Sequence, residues 1–209
     1  MEAKKKLFEV NIKETKKFVW GLNILAVALI FPFAYIFGKI GSLLLVDGAQ
    51  NLEMDLLELW LGLLLYFLLI AVHEAIHGIF FKVFCPENPV KFGFKWKSGM
   101  AYATSPGSLY NRMQMLVISL APFVVISLVL TMLAGFGMMN TTLYFMLATM
   151  HAASCAGDFY YTYLLLVKFA KGNIAVKDTE TRLGKKLSTT LQSSCQHLSA
   201  VVDWQICSC

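Results

Sequence analysis

The sequence predicts an all-α membrane protein: four transmembrane helices, with a short cytoplasmic β-hairpin between the second and the third. Three observations carry that expectation. The composition is 57% hydrophobic and only 15% charged, against about 45–50% and about 25% in soluble domains. Four apolar runs reach the roughly 20 residues that a membrane helix needs. Seventeen of the eighteen Lys and Arg residues fall on alternate connecting segments, the distribution expected when those segments face the cytoplasm. The 209 residues suit one compact membrane domain, residues 1–186, followed by a Ser/Thr/Gln-rich tail, 187–209, that is expected to be mobile or peripheral.

The first span is expected at Phe18–Gly38, behind Lys4, Lys5, Lys6, Lys13, Lys16 and Lys17. Its apolar stretch exceeds the ~7–15 residues of a signal-peptide core, and no small-residue cleavage site follows it. The next connection carries Lys39 against Asp47, Glu53, Asp55 and Glu58, so it belongs on the opposite side. The second span is expected at Leu59–Phe81, the third at Met115–Met138 and the fourth at Leu143–Phe169. Pro32 and Pro122 fall inside spans one and three, where neighbouring groups can satisfy the freed backbone.

Between spans two and three lie Lys82, Lys91, Lys95, Lys97 and Arg112. Within this loop Val90–Trp96 alternates, Lys97-Ser98-Gly99 reads as a turn, and Met100–Thr104 can return as a second strand. The hairpin is either a connector or an edge that holds an extended substrate by strand addition. Lys168, Lys171, Lys177, Arg182, Lys185 and Lys186 follow the fourth span, so both termini are expected in the cytoplasm. This distribution explains the net charge of +5 without a nucleic-acid partner. Five scattered cysteines, Cys85, Cys155, Cys195, Cys207 and Cys209, imply no disulfide framework.

The chemistry lies in Ala71-Val-His-Glu-Ala-Ile-His-Gly-Ile-Phe80, inside the second span. His73 and His77 are four residues apart, so a helix stacks both imidazoles on one face, where both can bind one zinc ion. Glu74 stands where the general base of a metalloprotease stands. Ionisable groups are costly in hydrocarbon and are expected to face a protein interior or a water-filled cavity. Chance pairs of His at this spacing occur on soluble helices; an apolar setting with Glu74 between them favours a metal.

Catalytic zinc usually takes three protein ligands and keeps one open position. The fourth span offers His151 and Asp158. With span two ending near Phe81, His73 and His77 lie roughly 6–12 Å from its cytoplasmic end. Asp158 lies roughly 16 Å, and His151 roughly 27 Å, from the end of span four. Depth therefore favours Asp158 as the third ligand and puts His151 near the opposite surface. On an intact helix the two are about 10 Å apart and cannot share one ion unless that helix is broken. His151 is read mainly as a polar partner deeper in the cavity.

His73-Glu74-Ala75-Ile76-His77, the hairpin-like loop, Leu120-Ala121-Pro122 and Gly157-Asp158 resemble the compact bacterial zincin peptidases of the membrane. That group is itself similar to the site-2 proteases. The resemblance spans residues 8–184. It implies a zinc-dependent intramembrane peptidase of a bacterial inner membrane, acting on a membrane protein or peptide. His73, His77 and Asp158 would be metal ligands and Glu74 the catalytic base. In site-2 proteases the completing Asp stands within Leu-Asp-Gly, whereas here the order is Gly-Asp-Phe. Two other classes stay open on the residues alone: a metal-binding membrane scaffold without catalysis, and a transporter or cofactor-binding bundle. Glu74 discriminates, because ligation by itself gives no reason for a carboxylate there. The chain also lacks the internal repeats of many transporters.

Overall fold

The structure is a computed structural model that describes residues 16–44, 55–95, 100–168 and 175–177. The expected tail at 187–209 and the hairpin turn at 97–99 lie outside the described residues. The elements in chain order are α1 (Lys16–Leu44), α2 (Leu56–Phe84), β1 (Lys91–Lys95), β2 (Met100–Thr104), β3 (Leu109–Asn111), α3 (Arg112–Gly135), α4 (Thr141–Ser154) and α5 (Ala156–Tyr163). A π-helical turn, Leu164–Lys168, and β4 (Ala175–Lys177) follow.

Three helices are long and apolar enough to cross a membrane: Lys17–Leu44, Leu56–Phe84 and Arg112–Gly135. Their outer faces carry exposed Trp20, Phe31, Trp60, Leu64 and Phe67. An apolar surface of this kind marks an interaction site in a soluble protein; on membrane helices it is the face that lipid solvates. The fourth expected span differs from the sequence reading. It is not one helix: α4 stops at Ser154, Cys155 forms a turn, and α5 restarts at Ala156 before passing into the π-helical turn. The apolar run specified hydrophobicity, but nothing in it specified continuity.

Local chemistry sets the helix ends. Asp55 caps α2 by accepting the Glu58 N–H at 2.6 Å, and Asn140 caps α4 by accepting the Leu143 N–H at 2.8 Å. Asn140 also donates through Nδ2 to Glu58 Oε1 at 2.7 Å, so the starts of α2 and α4 are tied together. Asn111 and Gln114 form a reciprocal capping box at the start of α3. Gly137, at φ +69°, closes α3 with its N–H on Ala134 O (3.0 Å) while Met138 N–H reaches Leu133 O (2.9 Å). This Schellman arrangement needs the left-handed conformation that glycine adopts readily.

The expected hairpin is present. β1 and β2 pair antiparallel from Lys91↔Thr104 to Lys95↔Met100. Gly78 of α2 lets the hairpin approach: a Cβ there would lie 2.5 Å from Phe92 Cζ and 3.3 Å from Val90 Cγ1. After β2, Ser105-Pro106-Gly107-Ser108 makes a type II turn, with Gly107 at φ +88° and the Ser108 N–H on Ser105 O at 3.1 Å. The chain then enters β3, which pairs antiparallel with β4 from Leu109↔Lys177 to Asn111↔Ala175. The sequence reading missed this second ladder. Its strands are three residues each, too short for a periodic signal.

Two buried clusters hold the bundle. One joins Phe37 of α1, Ile76 of α2, Ile126 and Leu130 of α3, and Tyr144, Leu147 and Ala152 of α4. The other joins Phe81 of α2, Ala103 of β2, Tyr110 of β3, Met115 and Ile118 of α3, and Tyr161 of α5. Phe159 fixes α5 between α1 and α3, with its ring 5.7 Å from Phe33 and 5.0 Å from Phe123. Polar residues of α2, α4 and α5 sit among these clusters.

Candidate metal centre

His73, His77 and Asp158 meet in the interior. Both imidazoles are 0% exposed and Asp158 is 1% exposed. His77 Nε2 lies 3.0 Å from His73 Nε2. Asp158 Oδ2 lies 3.2 Å from His73 Nε2, and Oδ1 lies 3.5 Å from His77 Nε2. Adjacent donors around a tetrahedral zinc ion, at bonds of about 2.0–2.1 Å, stand about 3.3 Å apart. The three separations bracket that edge.

The protons favour a cation as well. His77 Nδ1 donates to the Ile118 carbonyl at 2.9 Å; a carbonyl only accepts, so the Nδ1 proton is fixed and Nε2 of the neutral ring presents its lone pair. Pro122 explains why that carbonyl is available. It stands four residues after Ile118 inside α3 and has no N–H to close the helical bond. The backbone vacancy left by Pro122 is thus filled by the imidazole of His77. Both oxygens of Asp158 are buried, each facing one imidazole nitrogen, at 3.2 and 3.5 Å. An isolated buried carboxylate costs several kcal/mol, and a divalent ion among these donors would offset that cost.

His151 is also at the site, which corrects the depth argument. Its Nε2 lies 3.1 Å from His73 Nδ1, and the residue is 2% exposed. It is not near a far surface. The break at Cys155 separates it from Asp158, and the two approach His73 at opposite ring nitrogens. His151 therefore stands outside the group formed by His73 Nε2, His77 Nε2 and Asp158. Cys155 is buried and touches the same corner: Sγ is 3.9 Å from His73 Nδ1 and from His151 Nε2, and it donates to His151 O at 3.2 Å. Only the break in the helix, invisible in composition, could have signalled these two contacts.

Glu74, the expected base, is 5% exposed on the same helix, between the two histidines. The donor groups that could hold a metal among the described residues are His73–His77–Asp158 and His73–His151–Cys155; the two share His73.

A family model described as "putative zincin peptidase" matches residues 66–172, just over half of the chain. The chain belongs to this zincin peptidase family. The match begins in α2 before His73 and contains every residue of the cluster, together with the hairpin, α3, α4 and α5. No match was found among curated proteins or among solved structures.

Proposed function

We propose that this family member is a zinc-dependent peptidase that works within the membrane, with His73, His77 and Asp158 as metal ligands and Glu74 as the catalytic base. The observation that carries the reading is the convergence of two imidazole nitrogens and a carboxylate at 3.0, 3.2 and 3.5 Å, next to a buried Glu in His-Glu-x-x-His spacing. Zinc in such a site supplies Lewis acidity, polarising a peptide carbonyl and acidifying water. Glu74 accepts a proton from the attacking water and returns it to the leaving amine nitrogen, so that one water and one peptide bond give a carboxylate and an amine. His77, held by Ile118 O, and His73 keep their Nε2 atoms turned toward Asp158.

The substrate class is a membrane protein or membrane peptide, locally unwound because a helical peptide bond is shielded by its own turn. β1 suits such an extended segment. It pairs only with β2 among the described residues and carries exposed Phe92 and Phe94, so its outer edge can take a strand. The hairpin and both chain ends lie on the cytoplasmic side by the Lys and Arg distribution.

The test begins with metal. Wild-type protein, purified in detergent and washed with chelator, should retain about one zinc per chain, and His73→Ala and His77→Ala should lose most of it. Membrane peptides that accumulate in cells expressing Glu74→Gln in place of the wild type are then the candidate substrates. Equal zinc in wild type and both His variants would remove the site. Zinc binding with no peptide dependent on Glu74 would leave a metal-binding scaffold.

A further inference from the structure

We propose that His151 is the positioning residue for His73: its Nε2 accepts the His73 Nδ1–H and so keeps the His73 Nε2 lone pair turned toward His77 and Asp158. The inference rests on the metal reading above and adds a residue outside the three ligands and the base. A histidine that ligates through one nitrogen almost always donates its other N–H to an acceptor, which fixes both tautomer and ring orientation. For His77 the acceptor is Ile118 O at 2.9 Å. For His73 it is the ring nitrogen of another histidine, at 3.1 Å.

The surroundings of His151 fit this task. The residue is nearly fully buried, and its Nδ1 has no hydrogen-bond partner. An unpaired buried donor costs roughly 1–3 kcal/mol, so the ring does not sit there for the stability of the core. With Nε2 accepting, that Nδ1 carries the proton. Cys155 does not compete for the role, because its thiol is donated to His151 O at 3.2 Å. The same thiol anchors the end of α4, where the break allows His151 and Asp158 to grip one imidazole from its two nitrogens. Among the described residues the other groups that could hold a metal, His73 Nδ1, His151 Nε2 and Cys155 Sγ, can be filled together with the first site only if His73 loses both ring protons; the proposal requires that His73 keeps the one on Nδ1.

Zinc affinity measured by competition with a chromogenic chelator, in detergent-purified full chain, tests the assignment. His151→Leu removes the acceptor and should weaken zinc binding roughly 10–100-fold. His151→Gln places an amide oxygen near the position of Nε2 and should recover most of the wild-type affinity. Nitrogen-15 spectra of histidine in the zinc-loaded wild type give a readout that needs no variant: His151 should carry its proton on Nδ1 and leave Nε2 bare. Wild-type affinity in His151→Leu, equal weakness in Leu and Gln variants, or a protonated His151 Nε2 would each overturn the proposal while leaving the metal reading intact. Two zinc ions per chain, one of them lost in Cys155→Ser, would overturn it too. A wild type that binds no zinc would overturn both readings.

Discussion

In the proposed site Asp158 supplies the charge. Two neutral imidazoles supply no charge, so the single carboxylate is the anionic member of a buried set of three. Asp158→Asn keeps the shape and removes the charge, and zinc retention should fall at least tenfold, or about 1.4 kcal/mol. Glu74→Gln should show the opposite pattern. Its zinc content should match the wild type, while peptide cleavage falls by about 10²–10⁴-fold, the usual scale of a general base. Measuring zinc by elemental analysis and cleavage on the same two preparations separates ligation from proton transfer. Loss of zinc in Glu74→Gln, or full retention in Asp158→Asn, would reassign both carboxylates. The pair His73 and His77 was legible in the sequence because four-residue spacing is a property of one helix. The contact of His151 with His73 was not, because it depends on where α4 stops.

At the scale of elements, two interruptions shape the site, and they differ in how readable they were. Pro122 could be seen at once, and its lack of an N–H was predictable. That His77, on another helix, takes up the freed Ile118 carbonyl was not, since it depends on how α2 packs against α3. Pro122→Ala would return an N–H to that position and draw the carbonyl back into the helical ladder. The expected outcome is unchanged or higher thermal stability with zinc affinity lowered toward tenfold, within the range for a residue that orients a ligand. Unfolding and chelator competition on the same sample would check it; unchanged affinity would mean that Ile118 O serves both donors equally. The break at Cys155 left no composition signal, because Ala152-Ala153-Ser154-Cys155-Ala156 contains no proline and its first glycine neighbour comes only at Gly157. By contrast, the β1–β2 hairpin was readable from alternation and its turn residues, while β3 and β4 were too short to be.

For the whole molecule, the topology turns on how the broken segment lies in the membrane. α4 has 14 residues, or about 21 Å of helix, less than the roughly 30 Å hydrocarbon core. With α5 and the π-helical turn the segment runs from Thr141 to Lys168, which is long enough if the bend at Cys155 does not turn it back. Seventeen of eighteen basic residues on alternate segments favour a full crossing, because only an even number of spans puts Lys4–Lys17 and Lys168–Lys186 on one side. Burial of His151 and Asp158 against α2 is compatible with a segment that passes through the bundle. Single cysteines at Lys5, Ser98 and Ser188, in a background without the native cysteines, distinguish three spans from four. Labelling by an impermeant reagent should fail at all three in intact cells and succeed at all three once the inner face is opened. Labelling of Ser188 from outside, with Lys5 protected, would mean that α4 and α5 form a re-entrant pair, and that the chain ends opposite its start. The cluster of His73, His77 and Asp158 would survive that outcome, since it depends on the packing of α5 against α2. Labelling of Ser98 from outside would instead move the hairpin, and the substrate edge proposed for β1, to the other face of the membrane.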